Sequence, residues 1–142
     1  MVGLLRDTTE PQVLSLDLER LVTTYRSAGL SITLRIDGDP ESMPLAARVT
    51  VYRVVQEALA NAARHSTHDA PTSVDIAIDQ TQVVARIANQ LDDSPAPQDS
   101  EPRGYGLLGL REQSASLGGE LASGRTGDQW VVECRLPLRS AP

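Results

Sequence analysis

The spacing of hydrophobic residues divides the chain into a short lead-in, three helices and five strands. From Ser15, the residues Leu18, Leu21, Val22 and Tyr25 recur at steps of three and four. That spacing predicts an amphipathic helix, with Gly29 as its stop signal. Ile32, Leu34 and Ile36 then alternate with Ser31, Thr33 and Arg35, the pattern of a half-buried strand. Asp37-Gly38-Asp39-Pro40 is turn chemistry. A longer helix follows, with Leu45, Val49, Tyr52, Leu59 and Ala63 at helical spacing. Ser42 is predicted to cap it, Pro44 falls in its first turn, and it ends near Ser66. Two strands, over 74–78 and 82–88, are joined by Asp79-Gln80-Thr81 as a hairpin. Residues 90–103 carry Asp92, Asp93, Asp99, Glu101 and three prolines, with Leu91 almost the sole large apolar residue. They read as a loop. A glycine-rich stretch opens a third helix bearing Leu107, Leu110 and Leu117, which Gly118 and Gly119 end. Strands over 120–123 and 130–136 flank a turn at 124–129 and close the chain. Hairpins interleaved with helices predict an α+β domain: a mixed sheet with helices packed on one face.

Composition narrows the possibilities. A chain of 142 residues with 40% hydrophobic content suits one domain with a real core. Its expected bounds are 14–138, with 1–13 as linker and 139–142 as a tail. A net charge of -6 argues against a reader of nucleic-acid backbones, which would carry a basic excess. No run approaches a membrane span, and the first residues lack a signal-peptide core. The expectation is a cytoplasmic domain without membrane contact. The single cysteine, Cys134, rules out an intrachain disulfide and a multi-cysteine metal site. It alternates with Val132 and Leu136, as a buried thiol would.

Three groups of residues can carry chemistry. On the second helix Glu57, Asn61 and His65 are spaced four and four, so they form one polar stripe, with Arg64 one step aside. A carboxylate can act as a general base, an amide oxygen suits Mg²⁺, and a guanidinium suits phosphate. A plain solvated stripe is the simpler reading of the same spacing. The second group is Gly104-Tyr105-Gly106-Leu107-Leu108-Gly109-Leu110. Glycines there permit close backbone approach, and a helix start offers free N–H groups to an anion. A flexible turn with a helix cap would look similar. The third is Asn89, at the end of a strand, where an amide could read a base edge or simply begin a loop.

In this order the segments resemble a known family. Gln56-Glu57-Ala58-Leu59-Ala60-Asn61-Ala62-Ala63-Arg64-His65-Ser66 resembles the N box of sensor histidine kinases. Residues 104–112, GYGLLGLRE, resemble their second glycine box, and Leu117-Gly118-Gly119 and Arg135-Leu136-Pro137 also fit. The likeness runs from about Leu14 to Pro137. It is nearest to the ATP-binding catalytic domain of kinases that partner NarL-type response regulators. The resemblance implies a Bergerat-fold α/β sandwich holding ATP and Mg²⁺ between the N-box helix and a lid at 90–105. It implies Asn61 as the Mg²⁺ ligand and Glu57 as general base or water orienter. Arg64 would lie near the phosphates and His65 would pack against the nucleotide. Gly104, Gly106, Leu107 and Gly109 would supply hinge and phosphate-facing backbone.

Two departures stand out. The first glycine box of the family carries an aspartate followed by glycines, but here the stretch is Ala88-Asn89-Gln90-Leu91-Asp92. Asn89 can accept a hydrogen bond from the adenine amino group, without the strength that a charge adds. Trp130 stands where many members carry a small hydroxyl residue. Neither histidine, His65 or His68, is placed on a helical hairpin as a phosphoacceptor. The implied partners are therefore the kinase's own dimerisation and phosphoacceptor domain and a NarL-type regulator, with this domain alone a monomer. A degenerate nucleotide-binding module and an anti-sigma-factor serine kinase are the alternatives.

Overall fold

The computed structural model describes residues 13–65, 70–91 and 104–138. The elements are α1 (Leu14–Ser27), β1 (Ser31–Asp37), a 3-10 turn (Pro40–Ser42), α2 (Leu45–His65), β2 (Pro71–Ile78), β3 (Gln82–Gln90), α3 (Gly104–Ser116), β4 (Glu120–Thr126) and β5 (Gln129–Pro137). The strands form one mixed sheet in the order β1-β2-β3-β5-β4. β1 pairs parallel to β2 through the α2 crossover, and every other pairing is antiparallel.

Alternation along the strands places Val74, Ile76, Val83, Ala85, Ile87, Val132, Cys134 and Leu136 in the core. The helices supply Leu14, Leu18 and Val22 from α1, and Val51, Val54, Val55, Ala58, Leu59 and Ala62 from α2. This is the predicted mixed sheet with helices on one face. Burial disfavours the charged form of the Cys134 thiol and pushes its pKa up. Its sulfur lies 3.6 Å from Ser114 Oγ of α3.

Several local expectations change. Ser42 does not cap α2. It closes the 3-10 turn, donating from Oγ to Asp39 O at 2.7 Å, while Asp39 Oδ1 accepts from Glu41 N at 3.0 Å. The Asp-Pro pair starts this one-turn helix by itself, because proline fixes φ and aspartate supplies an acceptor for the next free N–H. Glu41 then bridges two helix starts: its Oε2 accepts from Leu14 N at 2.8 Å, and its Oε1 from Arg48 Nη1 at 3.2 Å. β3 extends through Gln90, the expected start of the loop, and β4 extends through Thr126 to a turn at 127–128 where Gly127 has φ +63.

The buried face of α2 is also not the predicted one. Leu45 is exposed and Ala63 faces outward. The buried positions, Val54, Ala58, Asn61 and Ala62 among them, are centred nearly half a turn away. Valine and alanine occur on every side of this helix, so periodicity alone does not select the face.

Candidate functional site

The shift of the α2 face changes the meaning of its polar residues. Asn61 is 7% exposed, so Glu57, Asn61 and His65 do not make a solvated stripe. Glu57 is half-buried, and Arg64 is exposed. Arg64 reaches back along the helix and donates from Nη2 to Asn61 Oδ1. The i to i+3 spacing allows that contact. The amide is thereby oriented, with its oxygen turned toward a positive group. His65 ends the helix, and its side chain lies outside the described residues.

The glycine box meets this helix. A Cβ built on Gly106 would collide with the carboxyl carbon and both oxygens of Glu57. A side chain at 106 would therefore need the carboxylate to move. α3 packs on α2, and Gly106 of one motif lies against Glu57 of the other. Gly104 is the first residue of α3. Gly109 has open space where a Cβ would be. Leu107 is buried at 4% exposure, so its side chain anchors α3 in the core and leaves its backbone at the helix start. Farther along, Gln113 Nε2 donates to Thr50 Oγ1 of α2 at 3.0 Å. Residues 92–103, the rest of the expected lid, lie outside the described residues.

Asn89 is not a loop residue. It pairs in register with Thr72 of β2 on one side and Trp130 of β5 on the other. Its side chain points to the helix-bearing face and is 3% exposed. β2 begins just beyond the end of α2, so this three-strand row lies at the same end of the fold as Asn61. A cleft of about 310 Å³ on the opposite face, beside Glu120, Ser123, Glu133 and Arg135, is lined by none of these residues.

The comparisons agree with this layout. No family model matches the chain. It is 29% identical over 129 residues to the sensor histidine kinase LnrJ of Bacillus subtilis, covering 90% of this chain and 31% of that one. It is 31% identical over 113 residues to the Bacillus subtilis sensor histidine kinase YxjM, covering 78% and 27%. The chain is homologous to the catalytic domains of sensor histidine kinases. It spans about a third of the length of those curated relatives. The fold agrees as well. The catalytic domain of the histidine kinase ThkA superposes with a TM-score of 0.66 at 15% identity, covering 89% of this chain and 92% of that one.

In a chain similar to histidine kinase catalytic domains the departures take on a structural meaning. The Asn89 position that replaces the expected aspartate is walled by Trp130 and Thr72, both in register with it. Sequence reading singled out Trp130 and passed over Thr72, because a threonine at the start of a strand carries no distinguishing pattern. Among the described residues, no helix is long and apolar enough to cross a membrane.

Proposed function

We propose that this domain binds ATP with Mg²⁺ and delivers the γ-phosphoryl group to a histidine on the dimerisation domain of its own kinase, from which a NarL-type response regulator receives it. The observation that carries the reading is the contact between the two motifs: Glu57 of the N-box helix lies against Gly106 of the glycine box. A carboxylate held at a glycine leaves room beside it for a phosphate chain lying along exposed backbone N–H groups.

Asn61 is the group for the metal. Among the described residues, no three of His, Cys, Asp and Glu gather into a cage for an ion. Mg²⁺ commonly takes only one or two protein oxygens and completes its shell with water and substrate phosphates. One oriented amide oxygen, already turned toward a cation, fits an ion that arrives with a nucleotide. The bound ion would neutralise charge on the phosphates. Arg64, three residues on, is within reach of the same region and suits phosphate oxygens through its planar fork of donors. Glu57 accepts the proton of the attacking group or orients it. Gly104, Gly106, Leu107 and Gly109 present backbone to the phosphates. Asn89 accepts from the adenine amino group through its side-chain oxygen, and His65 packs against the nucleotide. The domain runs over 14–138, with a lid between the end of β3 and the start of α3, and is monomeric by itself.

Calorimetric titration of the 142-residue chain with a non-hydrolysable ATP analogue tests this. The expected result is Mg²⁺-dependent binding between micromolar and sub-millimolar, about -8 to -5 kcal/mol. Absence of binding with Mg²⁺ present overturns the assignment.

A further inference from the structure

Thr72 is 1% exposed, and among the described residues its Oγ1 has no hydrogen-bond partner. A buried hydroxyl without a partner is uncommon and unfavourable, because it has given up water and gained nothing. A valine would fill the same space without that penalty. The position of this hydroxyl suggests what it is for. Thr72 is the direct register partner of Asn89, and both side chains point to the helix-bearing face at the end of the sheet. Directly opposed residues in an antiparallel pair have Cβ atoms roughly 5 Å apart. An amide and a hydroxyl therefore stand side by side. On the other flank of Asn89, Trp130 offers only an indole N–H and an apolar ring.

We infer that Thr72 belongs to the nucleobase site, where its hydroxyl, directly or through one water, completes the hydrogen bonding of the adenine edge beside Asn89. The inference rests on the nucleotide-binding reading above. The chemistry is complementary. The Watson–Crick edge of adenine places an amino donor next to a ring-nitrogen acceptor. An amide oxygen answers the first, and a hydroxyl, which both donates and accepts, answers the second. The tryptophan on the opposite flank walls the base rather than bonding to it.

The hypothesis predicts effects of opposite sign from one substitution. Thr72→Val keeps the shape and removes the hydroxyl. In the ligand-free 142-residue chain it should raise the melting temperature by about 2–6 °C, because the unpaired group is gone. The same variant should bind a non-hydrolysable ATP analogue about fivefold to tenfold more weakly, the scale of one lost hydrogen bond. Thr72→Ser, which keeps the hydroxyl, should bind the ATP analogue within about twofold of the parent. A purely structural threonine would move stability alone. If the parent binds the ATP analogue and Thr72→Val binds it equally well, the role of Thr72 is overturned while the nucleotide reading stands. If Thr72→Val lowers the melting temperature, the hydroxyl is bonded in the free protein and the inference also falls. If the parent itself binds no nucleotide, both readings fall.

Discussion

The two ends of α3 are both closed by glycine, but against different things. At the far end, Gly118 takes φ +84 and donates to Ala115 O at 3.0 Å, while Gly119 donates to Ser114 O at 2.9 Å. This is the two-glycine helix stop that satisfies the last free carbonyls. A Cβ on Gly119 would strike the backbone carbonyl of Arg135 and the backbone of Leu136, neither of which can move without disturbing β5. At the near end, a Cβ on Gly106 would strike only the carboxyl group of Glu57, the tip of a flexible side chain. One close approach belongs to the frame and the other to the site. The same type of residue, required on the same steric ground, therefore serves stability at one end and, on the proposed function, chemistry at the other.

On the proposed function, the largest effect that sharpens this contrast is expected from Glu57→Gln, measured in a protein that joins this domain to a phosphoacceptor-histidine domain. The amide keeps the packing on Gly106 and removes the proposed base. The autophosphorylation rate should fall about 10²-fold or more, with affinity for an ATP analogue and melting temperature close to the parent. An undiminished rate would remove Glu57 from the chemistry. Next, Gly119→Ala should cost about 3 kcal/mol, the upper range for forcing atoms into packed structure. That would appear as a fall in melting temperature of roughly 10 °C. A variant as stable as the parent would mean that β5 yields where it is expected to be rigid.

Asn61→Ala should abolish the Mg²⁺-dependent part of nucleotide binding. The gap between titrations with and without the ion should close by about tenfold or more, roughly 1.4 kcal/mol. An unchanged response to Mg²⁺ would move the metal ligand elsewhere. The smallest change in stability, and the most direct test of the comparison, is Gly106→Ala. Alanine is the better helix former by about 1 kcal/mol, which offsets the displacement of the Glu57 carboxylate. The melting temperature should stay within about 3 °C of the parent, while kinase rate falls because the carboxylate has moved. Equal losses of stability in Gly106→Ala and Gly119→Ala would dissolve the distinction between the two ends.

How much of this was legible in the sequence varies by element. The alternation of β1, the short β2–β3 hairpin and the glycine stop of α3 were all readable, because each depends on neighbours in the chain. At the β2–β3 turn, for example, Asp79 Oδ1 accepts from Thr81 N at 2.7 Å and Gln82 N at 2.9 Å. Those backbone hydrogen bonds hold its carboxyl below the usual aspartate range. The buried face of α2 was not readable. Its alanines and valines satisfy several stripes, and the choice among them is made by α3 and the sheet. For the same reason the spacing of Glu57 and Asn61 was compatible with a solvated surface. Asn89 was placed at a strand end by pattern, but only pairing on both sides draws it into β3 and buries it. Thr72 gave no signal at all.

The sequence by itself determined the order of the elements, the mixed α+β class and the two motifs whose likeness points to a histidine kinase domain. These depend on periodicity, turn chemistry and the identity of short runs, which are properties of local chain. Tertiary structure alone decided that Glu57 meets Gly106, that Asn61 is buried, and that Thr72 and Trp130 flank Asn89. Contacts between residues remote in sequence follow from register and packing, and those are fixed only when helices and strands exclude water together.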